Sequence, residues 1–249
     1  MKKYFLCLIA LLRFPSHFLF LIGVYLRYFL GIKTKPLSVN WDGFSLEKTF
    51  IRWWDGETMV ALGIPMVFVY QYEHSSKRLS EKMKQILSYR WDDIVIGLAR
   101  EFLSQEEDMI PHLRAWIITR ALFQSDFIHN SQYGDAFFFR QIGSYERFLE
   151  MYRDKKVFLI TNQDSIDKIR QDGRLPLLGS YTLPKTHAFD SYDALKAWTL
   201  ATLDAIPDKE NMVIILAGGP MAKVLAYDLT TEYRYVCHDT GQFFDLFLK

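Results

Sequence analysis

The sequence lacks most of the patterns by which common function classes announce themselves. Only two cysteines, Cys7 and Cys237, occur in 249 residues. They stand far apart, with no CxxC or Cys/His zinc spacing, so neither a disulfide framework nor a zinc module is implied and a reducing compartment fits. No GxxxxGK[ST] is present, which argues against a P-loop nucleotidase. No GxGxxG follows an early strand, which leaves ordinary dinucleotide binding unsupported. HExxH and GxSxG are missing too. Long apolar runs are absent from the N-terminal region: between positions 4 and 32 no stretch free of charge and His exceeds nine residues. A membrane-spanning helix needs about 20.

Acidic residues are absent from positions 1–41, whereas the first 35 positions hold Lys2, Lys3, Arg13, Arg27, Lys33 and Lys35. The whole chain carries a net charge of +1, so the remainder stands near −5. An acidic body opposes nucleic-acid binding, and no nucleic-acid partner is expected. The head, rich in Leu and Phe as well as in bases, reads as amphipathic helix lying in a membrane interface with its bases on anionic headgroups. That places the protein on the cytoplasmic, inner face of the cell membrane as a peripheral protein. A signal peptide is opposed by Arg13-Phe14-Pro15, which stands where a small-x-small cleavage site belongs. A helical hairpin packed on the protein's own body is the alternative. Two regions follow: a basic apolar segment, 1–35, and a globular domain, 36–249.

What the globular part does have is apolar material. Hydrophobic residues make up 50% of the chain and aromatics 16%, enough for a packed core. Strand-like runs at 50–54, 94–98, 156–161 and 211–217 alternate with helical patterns at 75–89, 106–127, 164–171, 192–205 and 218–228. A short strand is expected at 67–70 and a last one at 233–237. Residues 133–136 read as a turn, 173–184 as a Gly/Pro-rich loop, and 243–248 as a terminal helical turn. Alternation of this kind predicts an α/β, Rossmann-like fold, a mostly parallel sheet with helices on both faces.

Ligands of such sheets bind beyond the carboxyl ends of the strands. Three features fall there. Asp55-Gly56-Glu57 places two carboxylates around a glycine, a pattern suited to Mg2+ or Mn2+, which take hard oxygen ligands and often hold phosphates. Taken alone, the pattern is more often an ordinary turn feeding a helix N-terminus, where acidic side chains favour the dipole. Gly218-Gly219-Pro220 combines close backbone approach with the free N–H groups of a helix start, which attract phosphate, and Lys223 lies one turn further on. His238-Asp239-Thr240-Gly241 ends the last strand. Together they suggest a site for a nucleotide diphosphate.

FIRWWDGETMVALG, SSKRLSEKMKQIL, YGDAFFFR and IILAGGPMAKVLAYDL followed by VCHDTG occur in that order from about residue 45 onward. In this the chain resembles the bacterial glycosyltransferases of the GT-D fold. The resemblance implies a Rossmann-like enzyme in which Asp55 and Glu57 hold the cation and a nucleotide-sugar, a UDP-sugar. Arg52, Gly56, Gly219, Pro220, Lys223 and Arg140 are then candidate donor contacts. Asp239 is the candidate base for an acceptor hydroxyl, with Glu57 and Asp135 behind it. The acceptor would be a glycan or a lipid-linked saccharide in polysaccharide or glycoprotein synthesis. Departures lie at Trp53-Trp54, where the family pattern has Phe-Gly, and after Gly241, where its His is replaced by Gln242. A catalytically idle relative serving as a membrane-associated scaffold of glycan assembly is the competing expectation. A methyltransferase-like Rossmann enzyme, lacking an early glycine-rich loop here, is the third.

Overall fold

The computed structural model describes residues 43–62, 76–89, 92–100, 119–123 and 132–248, the two-residue strand Asn40–Trp41, and a few positions between 19 and 30. The strand expected at 67–70, most of the helix expected at 106–127 and most of the basic head lie outside the described residues. Residues 119–123 are helical. Among the described residues no helix is long and apolar enough to cross a membrane.

One half of the chain supplies β1 (Asn40–Trp41), β2 (Thr49–Trp53), β3 (Ile94–Leu98) and β4 (Gln132–Asp135). The other supplies β5 (Lys156–Thr161), β6 (Leu177–Thr182), β7 (Met212–Leu216) and β8 (Cys237–Asp239). They form a single eight-stranded sheet in the order β1-β4-β3-β2-β8-β7-β5-β6, and every pairing is parallel. A sheet of this kind is buried on both faces, so its strands read as unbroken apolar runs.

Strand side chains alternate between faces, and here the alternation separates two cores. Ile51, Trp53, Ile96, Leu98, Ile160 and Ile214 meet the helices α1 (Asp55–Ala61), α2 (Lys77–Ser88), α6 (Tyr192–Asp204) and α7 (Gly219–Tyr233). Phe50, Val95, Val157, Leu159, Val213 and Ile215 meet α3 (Phe138–Gln141), α4 (Tyr145–Met151), α5 (Gln163–Asp172) and α8 (Phe243–Phe247). The expected α/β architecture with helices on both faces is therefore present.

Three local expectations need correction. Tyr133-Gly134-Asp135 is strand β4 rather than a turn. Its glycine leaves room for the Phe50 ring: a Cβ on Gly134 would lie 2.7 Å from Phe50 Cε2, and one on its register partner Gly97 2.3 Å from Phe50 Cζ. Residues 177–182, read as loop between Gly173 and Pro184, form edge strand β6, whose half-exposed residues carry little apolar signal. The last strand begins at Cys237 instead of Tyr233, because α7 runs on through buried Leu229 and Thr230 before Arg234 ends it in a left-handed conformation.

Under β8, His238 is fully buried. Its Nε2 donates to the Lys48 carbonyl at 3.2 Å, since a carbonyl only accepts, so Nδ1 accepts from the Tyr152 hydroxyl at 2.6 Å. Burial drives the imidazole pKa down to about 3, against a smaller opposing pull from the Lys48 carbonyl. His238 is a structural histidine.

Candidate active site

The two halves of the sheet diverge from the β2/β8 junction, and the crevice at that junction is where a doubly wound sheet receives its ligand. β2 exits into Trp54, whose extended backbone (φ −111°, ψ 176°) opens α1. Trp53 turns into the core and donates through Nε1 to Thr58 Oγ1 at 3.0 Å. Glu57, third residue of α1, folds back so that its Oε2 accepts the Trp54 N–H at 2.8 Å. This satisfies one of the helix's orphan donors and fixes the carboxylate at the crevice.

The opposite wall comes from α7. Lys223 is almost fully buried, and its Nζ lies 2.9 Å from Asp239 Oδ2, 3.2 Å from Glu57 Oε1 and 3.5 Å from the Gly219 carbonyl. Burial works against this charge, but Asp239 and Glu57 outweigh burial and hold the ammonium above its usual range. Asp239, 0% exposed, also accepts from Arg52 N at 3.3 Å and Gly241 N at 3.1 Å. The Arg52 guanidinium donates to the carbonyls of Ala136 (3.1 Å) and Thr240 (3.2 Å) and lies 5.2 Å from the Trp54 ring centre. Gly241 is required beside it. Its φ is +58°, and a Cβ there would fall 1.2 Å from Arg52 Nη1. Two buried cations thus balance two buried anions.

Over this cluster opens a cleft of about 480 Å³. Arg140 sits exposed at its rim, 5.4 Å from the Trp54 ring centre, and donates to Gln242 Oε1 at 3.3 Å. Gly218-Gly219-Pro220 forms the middle of the floor. Pro220 stands in the first turn of α7, Gly219 has φ +61°, and Gly218 offers no side-chain cap to the helix N–H groups. Beyond them the floor continues to Thr161 and Asn162 at the end of β5 and to Leu183, Pro184 and Lys185 after β6. A second hollow, of about 460 Å³, lies at the amino ends of the strands near Lys155, Asn211 and Arg234, away from every converging feature.

The structure brings together Arg52, Glu57, Gly219, Pro220, Lys223, Asp239 and Arg140, which all line the one cleft. Gly56 is buried in α1 behind it. Asp55 heads α1, but its side chain lies outside the described residues. Asp135 is not among the lining residues; its carboxylate accepts from Phe137 N and Gln141 Nε2. Among the described residues no group of three or more His, Cys, Asp or Glu side chains is placed to hold a metal.

Residues 50–243 match the family model described as "Glycosyltransferase GT-D fold". The chain belongs to the GT-D glycosyltransferase family. Three solved structures share the fold of this GT-D chain, each with a TM-score of 0.61. One is described as a new glycosyltransferase, domain of unknown function 1792, from Streptococcus sanguinis; it is 19% identical, over 83% of this chain and 82% of that one. Another is described as the highly conserved domain of unknown function 1792 with a distinct glycosyltransferase fold; it is 22% identical, over 80% of this chain and 73% of that one. No curated protein is significantly similar. As a member of this family the chain is a glycosyltransferase.

Sequence reasoning overlooked the β5/β6 end of the GT-D cleft, Thr161, Asn162, Ser165, Lys185 and Asp245. The signal was present: Thr161-Asn162 stands at a strand exit just as Asp55, Gly218 and Thr240 do.

Proposed function

We propose that this glycosyltransferase moves a sugar from a nucleotide-sugar, a UDP-sugar, to a glycan or lipid-linked acceptor. The observation that carries the reading is Lys223, buried between Glu57 and Asp239 at the uncapped start of α7. An ammonium held there has its charge matched by the two acids, and the α7 N–H groups and Arg140 tip the balanced cluster toward the positive, making a preorganised donor corner for a diphosphate. Arg140 adds an exposed charge at the rim. As the sugar departs, negative charge grows on the diphosphate, and these groups stabilise it without having to reorganise.

Asp239 already accepts from Lys223 and from two backbone N–H groups, which supports a holding role over the base role expected from sequence. It fixes Lys223 and, through the Arg52 backbone, the end of β2. Glu57 uses one acceptor direction on each oxygen, of about four on a carboxylate. The Glu57 carboxylate offers hard oxygens, which fits Mn2+ or Mg2+ held by Asp55 and Glu57 beside the Lys223 ammonium. When bound, such an ion supplies Lewis-acid neutralisation of the leaving diphosphate.

We place the protein on the inner face of the cell membrane through residues 1–35. Leu19, Ile22, Leu26 and Leu30 recur at helical spacing and are exposed, while Val24 joins the core. An exposed apolar stripe among the described residues of a segment with bases and no acids suits an anionic lipid surface.

UDP release from UDP-sugars in the presence of Mn2+, for the native chain and Asp55→Ala, tests the enzymatic reading. Turnover lost in Asp55→Ala supports the metal assignment, and turnover unaffected defeats it. Donor binding without turnover on any acceptor would instead fit an idle scaffold. Deleting residues 1–35 should release the protein from anionic vesicles while UDP binding persists. A native chain that ignores vesicles would refute the membrane placement.

A further inference from the structure

The cleft extends past the Gly219 corner over the carboxyl ends of β5 and β6, and the chemistry there changes. Thr161, last residue of β5, is 0% exposed and lines the floor, yet its Oγ1 has no hydrogen-bond partner among the described residues. An unmet buried hydroxyl is costly and uncommon in native proteins, and valine would fill the same volume without the cost. Its neighbours are engaged but polar. Asn162 Oδ1 accepts from Ser165 N at 2.9 Å, Ser165 Oγ donates to Asp245 Oδ1 at 3.4 Å, and Lys185 pairs with Asp164 at 2.8 Å. Leu183 and Ala188 add buried apolar surface beside them.

Charge decides what this end can hold. At the other end Arg52, Lys223 and Arg140 outnumber the acids Glu57 and Asp239 by one among the described side chains. Here Lys185 is matched by Asp164, and Asp245 leaves an excess of negative charge. A diphosphate is disfavoured. A neutral ligand with several hydroxyls is favoured, because carboxylates accept O–H groups, the Thr161 hydroxyl needs a partner, and an apolar wall suits C–H faces.

We infer that the β5/β6 end is a separate subsite for a hydroxyl-rich, uncharged group, the saccharide acceptor. Naming it the acceptor site rests on the donor reading above; the subsite itself rests on Thr161 and its surroundings. Asp245, exposed at the cleft, accepts from one acceptor hydroxyl, and the covered Thr161 hydroxyl meets another when the floor side chains part.

The test uses the full-length chain, UDP, and the methyl glycosides of glucose, galactose and N-acetylglucosamine. Glycoside binding is read by saturation-transfer NMR and UDP affinity by calorimetry, for the native chain, Thr161→Val and Asp245→Asn. Thr161→Val removes no existing hydrogen bond and relieves an unmet buried hydroxyl, so its melting temperature should equal or exceed the native one. At least one glycoside should bind together with UDP. Each variant should weaken it about three- to tenfold, the loss of one hydrogen bond. UDP affinity should change by less than about twofold, as separate sites require. The inference is overturned if no glycoside binds, if both variants bind it as the native chain does, or if UDP displaces it. A Thr161-dependent glycoside site in a chain that does not bind UDP would uphold the subsite and sink the donor reading.

Discussion

At the β2/β8 end of the cleft Arg52, Glu57, Lys223 and Asp239 are no more than 6% exposed, with Lys223 paired to both acids and the Arg52 guanidinium held on backbone carbonyls. At the β5/β6 end the side chains of Lys185 and Asp164 are 71% and 69% exposed. The same types of ion pair therefore serve different ends. Water and salt screen the exposed pair, which can swing aside for a neutral ligand at little cost. The buried cluster cannot relax. It holds its charges ready, and losing one partner strands another in low dielectric.

The largest effect that would break this contrast is Lys223→Met, which leaves Glu57 and Asp239 buried without their cation. It should cost about 3–5 kcal/mol in urea unfolding and abolish UDP binding. Adding Glu57→Gln and Asp239→Asn should restore much of the stability but not the binding. Next is Gly241→Ala, which forces a left-handed backbone on alanine and drives Arg52 from its place. About 3 kcal/mol is expected, at the upper end of such strain, together with weaker UDP affinity in calorimetry.

Acid should attack the buried end through His238. Its folded pKa of about 3 lies below the ordinary 6.5, so between these values the unfolded chain binds the extra proton. Stability is complete above pH 6.5, is lost as pH falls, and levels off below 3. By pH 5 the loss is about 2 kcal/mol. Urea midpoints across this range should flatten in His238→Asn. The smallest effect is Lys185→Ala, which should leave the urea midpoint unchanged while raising the Asp164 pKa, now held below its usual value by Lys185, in NMR titration. A clear loss of stability there would erase the distinction between the two ends.

Local pattern made much of this legible. The β2-turn-α1 and β7-Gly-Gly-Pro-α7 units follow from apolar runs broken by glycine, and the strand-exit rule brings them to one crevice. What stayed hidden depends on distant contacts. Gly134 looks like a turn residue until Phe50, 84 positions earlier, is seen to occupy the space a side chain would need. Edge strand β6 shows no apolar run because it is only half covered. For Asp239, expected as a base, nothing local reveals that Lys223 and the Arg52 amide, 16 and 187 positions away, donate to its oxygens. The strand exit at Thr161-Asn162 was readable, but the unmet Thr161 hydroxyl was not, since only a folded neighbourhood can show that a hydroxyl lacks a partner.

The central claim, that Lys223 between two acids forms the diphosphate corner, is met most directly by calorimetric titration of UDP. The native chain is compared with a Lys223→Gln, Asp239→Asn double variant, which removes one charge of each sign and keeps neutral hydrogen bonding. The account expects a cooperatively folding variant that binds UDP at least about tenfold more weakly, the loss of one charge-assisted contact. Equal affinity in the folded double variant would contradict it.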